Sequence, residues 1–195
     1  MRIGVLALQG DFIEHIHMLA SLGMDTREVR LPVDLVGLDA LIMPGGESTT
    51  IGKLAVAYDL IDPLRLFGAS KPIWGTCAGA IFLAKEIHLS QPVLGLMDIV
   101  VARNAFGRQV DSFITPIEVA AFASPGKENP PFPAVFIRAP VIESVSGNAV
   151  VLASLPDGRI VAARQDHLLA TSFHPELTGD TRFHQYFIRM VGGKG

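Results

Sequence analysis

The chain has 195 residues, 49% of them hydrophobic, and its 16 basic and 19 acidic side chains leave a formal net charge of -3. That length and apolar share suit one compact domain, expected over 1–195, and the balance of charge supplies no positive field for a polyanion, which argues against nucleic acid as a partner. The first apolar run is too short for a signal-peptide core and no later stretch approaches a membrane span, so with a single cysteine a reducing cytoplasm is the expected setting.

Residues 3–8 read as a strand covered on both faces, because the run is branched and apolar without polar alternation. A helical pattern follows through Ile13, Ile16, His17 and Ala20, with Asp11 as N-cap and Gly23 as stop. Residues 40–43 form the next strand and enter Pro44, Gly45, Gly46, Glu47, Ser48, Thr49 and Thr50, a turn whose paired glycines free backbone N–H groups to face a ligand. One reading of this turn is an ordinary bend capped by Ser48. A second is a phosphate loop, which fails because Leu54 follows Lys53 where Ser or Thr is required. The third makes Gly46 a donor to negative charge developing on a carbonyl oxygen. Ile51, Leu54, Ala55 and Tyr58 then continue a helix that Asp62 and Pro63 break or restart.

The most informative segment is Gly75, Thr76, Cys77, Ala78, Gly79, set between a strand at 72–74 and a helical pattern. A nucleophile on a sharp strand-to-helix turn needs glycines two residues to either side, so that neighbouring backbone can pass close. The helix N-terminus also favours thiolate, and the N–H of Ala78 faces the reacting centre. Set against this, a free cysteine at a strand end is commonly a small buried hydrophobe. The two glycines tip the balance toward a nucleophile without fixing its reaction, since lipase-like serine enzymes and other cysteine enzymes use the same turn.

Further runs at 99–102 and 134–137 read as strands of the same kind, with a Pro-rich surface loop over 123–133 between them. From 141 the character changes, and 141–145, 149–153, 160–164 and 168–173, separated by turn residues, look like antiparallel hairpins appended to the main sheet. A helix over 180–191 closes the chain. The fold class expected is α/β, a flavodoxin-like three-layer sandwich with a mainly parallel central sheet and an antiparallel portion in its second half.

A thiolate nucleophile requires a histidine held by a third group, and the chain offers 6. His15, His17, His88 and His184 fall on or near helices and read as surface or core-edge residues, while His167 reads as a turn residue. His174 ends an apolar strand and is followed by Pro175, which keeps it out of helical geometry. In an extended segment residues two apart share a side, so Glu176 can hold the His174 imidazole and stabilise its protonated form.

These segments resemble the class I, or triad, glutamine amidotransferases. Leu6 to Phe12, Arg103 to Gln109 and Phe136 to Pro140 narrow the resemblance to the glutaminase subunits of pyridoxal 5'-phosphate synthase, over nearly the whole chain. The resemblance implies that Cys77 attacks the amide of L-glutamine, His174 moves protons and Glu176 orients it. It implies glutamine contacts at Gly46, Glu47, Ser48, Arg103, Ile137 and Arg138, oxyanion donors at Gly46 and Ala78, and a partner-responsive Gln9 nearby. No cofactor and no metal are implied, and ammonia would pass to a synthase subunit in a large hetero-oligomer. A cysteine peptidase or other cysteine hydrolase on a similar sheet, and a non-catalytic regulatory subunit, are the competing readings.

Overall fold

The computed structural model describes residues 1–103 and 112–193. In chain order the elements are β1 (Arg2–Leu6), α1 (Phe12–Ser21), β2 (Asp25–Val29), β3 (Ala40–Met43), α2 (Ser48–Ala57), α3 (Ile61–Gly68), β4 (Ile73–Thr76) and α4 (Ala78–Leu83). There follow β5 (Ala84–Ile87), β6 (Met97–Ala102), β7 (Ser112–Ile117), β8 (Phe132–Ile137), β9 (Val141–Val145), β10 (Val150–Ser154), β11 (Ile160–Gln165), β12 (Leu168–Thr171) and α5 (Arg182–Val191). The main sheet runs β2-β1-β3-β4-β12-β11-β9-β6-β5, with β10 joined to β11. From β2 to β12 it is parallel, and β11 begins the antiparallel portion.

The apolar runs lack polar alternation because both faces of the sheet are covered. Ile3, Val5, Ala40, Ile42, Trp74 and Leu169 pack on one side with Leu19 of α1 and Phe183 and Phe187 of α5. Leu41, Met43, Ile73, Leu168 and Ala170 pack on the other with Ile51 of α2, Leu64 of α3 and Phe82 of α4. Adjacent residues of one strand therefore serve different cores, as the two-residue strand period demands. Each fully buried Phe or Leu contributes about 1.5–3 kcal/mol through removal from water. The α/β three-layer architecture expected from the sequence is thus present.

Several elements depart from their expected form. The run at 134–137 belongs not to the central sheet but to a separate antiparallel pair, β7 with β8, in which Phe113 stacks on Phe136 at 4.7 Å between centroids. The run at 99–102 extends back to Met97, and its side chains alternate between buried and half-buried because β6, antiparallel to β9 near the far end of the sheet, is covered less on one face. In α1 the buried side chains are His15 and Leu19, while Ile13 is 48% exposed, so the inward face is rotated from the one expected. Asp11 holds the N-cap position but makes no capping hydrogen bond with its side chain. Ser48 does not cap its helix either. It is the first helical residue, and Glu47 accepts from the N–H groups of Thr49 and Thr50 at 3.1 and 2.7 Å.

Candidate active site

Strand register brings the two candidate reactive groups together. β4 and β12 are adjacent and parallel, with Thr76 opposite Thr171, and the N–H of Cys77 donates to the carbonyl of Thr171 at 2.8 Å. Cys77 and His174 thus leave the sheet at the same edge, where ligands gather in open α/β folds. Cys77 sits at φ 47 and ψ -105, in the sparsely populated left-handed region. Its flanking glycines are required by contact. A Cβ on Gly75 would strike the carbonyl of Gly79, and one on Gly79 would strike the carbonyl of Met43. Cys77 itself is 6% exposed and opens into a cavity of about 410 Å³.

His174 and Glu176 are buried, at 4% and 6% exposure. They meet by a route different from strand alternation, since a short 3-10 turn (Pro175–Leu177) begins at Pro175. That turn places Glu176 Oε1 2.7 Å from His174 Nδ1. Asp11 Oδ2, which the sequence suggests only as a helix cap, lies 3.3 Å from the same nitrogen. With Nδ1 so engaged, Nε2 is left for Cys77. Burial favours the neutral ring, but hydrogen bonds to Asp11, Cys77 and Glu176 outweigh it and raise the His174 pKa to about 12. Burial also pushes the Glu176 carboxyl up, against the pull of His174. The shared proton resides on the imidazole, because Asp11 and Cys77 face that ring as well.

Asp11, His174 and Glu176 form the grouping among the described residues whose donor atoms, all within 4.8 Å of one another, could approach a cation. Its central nitrogen already carries the proton held between two carboxylates. The imidazole also packs tightly against the glycine turn, since a Cβ on Gly45 would strike His174 Cε1.

The cavity also takes in Gln9, Gly46, Glu47, Arg103, Ile137 and Arg138. Gly46 has φ +156, and a Cβ there would lie 2.6 Å from Gln9 Oε1. The same Gln9 oxygen accepts from the N–H of Glu47 at 2.6 Å. Ser48 and Ala78 line the cavity from the starts of their helices. Arg103 is oriented by Glu47 Oε1 at 3.3 Å, Thr49 Oγ1 at 3.1 Å and Gln91 Oε1 at 3.4 Å. Gln91 was not singled out by sequence, and nothing in its neighbourhood marks it. Hydrogen bonds from Thr50, foremost its hydroxyl, and from Thr49 outweigh desolvation and lower the Glu47 pKa to about 2, so it stands ionised beside Arg103. Arg138 adopts φ 43, the conformation that sets the bend out of β8. Of the motif that starts at Arg103, residues 104–109 lie outside the described residues.

The remaining histidines divide sharply. His17 and His88 are exposed as expected, and His167 Nε2 meets the carbonyl of Gly68 at 2.8 Å. His15 and His184 are instead fully buried, at 0% exposure, which overturns their reading as surface or core-edge residues. The wide apolar surroundings of α1 and α5 draw both rings inward, where each finds a polar partner. His15 Nδ1 lies 3.0 Å from His184 Nε2, and His15 Nε2 lies 3.2 Å from Thr76 Oγ1 and 3.3 Å from Glu176 Oε2.

With this arrangement in place, comparison with known proteins decides the family. The model of the SNO glutamine amidotransferase family matches residues 5–192. The chain belongs to that family. The pyridoxal 5'-phosphate synthase subunit PdxT of Herpetosiphon aurantiacus is 61% identical to it over 195 residues, covering 97% of this chain and 100% of that one. The subunit of the same name from Moorella thermoacetica is 54% identical over 194 residues, covering 98% and 100%. Among solved structures, a crystal structure of glutamine amidotransferase superposes with a TM-score of 0.90 at 51% identity, covering 97% of this chain and 98% of that one. The structure of PurLQS from Thermotoga maritima, at 16% identity, TM-score 0.72 and coverage of 97% and 98%, shares the fold. Among the described residues no helix is long and apolar enough to cross a membrane.

Proposed function

We propose that this glutamine amidotransferase is a single-domain glutaminase subunit, spanning 1–195, that works in the cytoplasm and supplies ammonia to the synthase subunit of a pyridoxal 5'-phosphate synthase. The observation that carries the reading is the juxtaposition of Cys77, on its strained elbow, with His174 in one cavity that also holds the Arg103 and Glu47 charges. A free amino acid presents a carboxylate for Arg103 and an ammonium for Glu47, so the cavity offers complements to both ends of the glutamine backbone. Gly46, Ser48, Ile137 and Arg138 complete the binding surface.

In the reaction the Cys77 sulfur, its proton held on the charged His174 ring, attacks the side-chain carbonyl carbon of glutamine. Backbone N–H groups of Gly46 and Ala78 are assigned to the oxygen that becomes negative, with Gln9 set beside them. His174 returns the proton to the departing nitrogen, the C–N bond breaks, and ammonia leaves a thioester on Cys77. Water, deprotonated by His174, then attacks the thioester and releases glutamate and the thiol. Glu176 holds the imidazolium throughout. No cofactor enters these steps.

The decisive measurement is glutamine hydrolysis with and without the synthase subunit, alongside labelling of Cys77 by a glutamine-analogue electrophile. Hydrolysis should rise on complex formation, and Cys77→Ala should abolish it while the circular dichroism spectrum stays unchanged. Peptide cleavage without response to glutamine would move the assignment to another cysteine hydrolase, and an unlabelled Cys77 in the active complex would make the chain a regulatory subunit.

A further inference from the structure

Behind Glu176 the two buried histidines face a problem of hydrogen placement that has one good solution. Each neutral imidazole carries one N–H and one bare nitrogen. If the chain of donors points toward Glu176, His184 Nε2–H donates to His15 Nδ1, and His15 Nε2–H donates to Thr76 Oγ1 while presenting its proton side to Glu176 Oε2 at 3.3 Å. Oε2 has no aligned hydrogen-bond donor among the described residues, and His15 Nε2, 3.3 Å away, is the nitrogen that faces it. The atom then left over is His184 Nδ1, a bare acceptor without a hydrogen-bond partner among the described residues. If the chain points the other way, a nitrogen lone pair confronts a carboxylate oxygen at 3.3 Å. The leftover atom is then an unpaired buried N–H, which is the more costly orphan.

The geometry points to His15 and His184 as positioning residues that form a one-way donor chain, His184 to His15 toward Glu176 Oε2, locking both rings as Nε2–H tautomers and keeping the other oxygen, Oε1, on His174. Burial, followed by repulsion that a protonated His15 would feel from the His184 and His174 rings, holds His15 well below the usual histidine value, and burial lowers His184 to about 3, so both stay neutral near pH 7. The titratable groups facing this chain are Glu176 and His174 from the strand exit and, one step further, Asp11 and Cys77 around His174. Trp74 closes the rest, its ring centroid 4.9 Å from that of His184 and 5.8 Å from that of His15. Glu176 is thereby fixed from both sides, by a charged ring in front and an uncharged one behind.

This inference rests on the proposed glutaminase reading only for its kinetic arm. The direct arm is nitrogen NMR of the full chain labelled with ¹⁵N at histidine. His15 and His184 should show a bare Nδ1 and a protonated Nε2 across pH 6 to 8. An Nδ1–H tautomer at either residue, or protonation of either within that range, overturns the donor chain whether or not the protein hydrolyses glutamine. In the kinetic arm His15→Leu removes the donor, and His15→Gln restores an N–H at the Nε2 position. With the synthase present, kcat should drop roughly tenfold or more in the leucine variant with KM little changed, and its kcat pH profile should shift. The glutamine variant should recover most of both. Equal behaviour of the two variants, or an unmoved pH profile, refutes a positioning role. Absence of glutamine hydrolysis in the wild-type complex refutes the glutaminase reading and leaves the NMR result standing.

Discussion

The cavity side and the sheet side of the His174 ring differ in almost every physical respect. Toward the cavity, the Arg103 and Glu47 side chains retain 28% and 47% of their exposure and meet through a single 3.3 Å contact. Toward the sheet, His15 and Glu176 have side chains with 0% exposure, and every contact is made to another buried group. Water screens the first set, so its charges can exchange a partner in the protein for one on a ligand at small cost. The second set has no solvent to fall back on, and losing one member strands the next. The difference teaches that substrate grip and proton chemistry are separated by dielectric environment, with one imidazole at the boundary.

Changes on the dry side should therefore act on rate, and changes on the wet side on substrate affinity. Glu176→Gln keeps the shape of the buried side chain but removes the charge that stabilises the imidazolium, and glutaminase kcat in the complex should fall roughly a thousandfold while the fold persists. A loss confined to KM would break the comparison. Arg103→Ala should instead raise KM for glutamine by about 10- to 100-fold and leave kcat within about threefold, the signature of a charge-assisted bond to the substrate carboxylate. A dominant kcat effect would place Arg103 with the dry set.

The smallest effect concerns stability. The His184 pKa is lowered to about 3 in the folded chain by burial. Its contribution is thus complete above the unfolded value near 6.5 and is lost as pH falls toward the folded value. Between pH 7 and 4 the wild-type chain should lose about 3 kcal/mol more than His184→Phe, read from urea midpoints. Parallel pH slopes for the two proteins would show that His184 is already solvated.

Much of the arrangement is legible because its signals are local in sequence. The doubly covered strands show as unbroken apolar runs, and the elbow shows as glycines flanking Cys77 at the end of one of them. His174 and Glu176 show through Pro175, although a 3-10 turn rather than an extended segment makes them meet. Less can be read where the cause is remote. His15 and His184 are 169 residues apart, and nothing in either helix announces that its histidine turns inward to meet the other. The strand Asp25–Val29 leaves no apolar run because it is an edge strand of Asp, Thr, Arg, Glu and Val, paired only with β1. Asp11 sits where a helix cap is expected, and only the folded approach of the strand exit carrying His174 turns its carboxylate to another use.

The backbone angles at Cys77 carry a consequence for how this protein bears its own function. A non-glycine residue at φ 47 and ψ -105 is held there against its preference, at an expense of about 1–3 kcal/mol. Glycine would relax that position and lose the sulfur. The molecule is therefore less robust than the same fold would be without its reactive thiol, and the shortfall is made good by the two cores clamped on either side of the sheet.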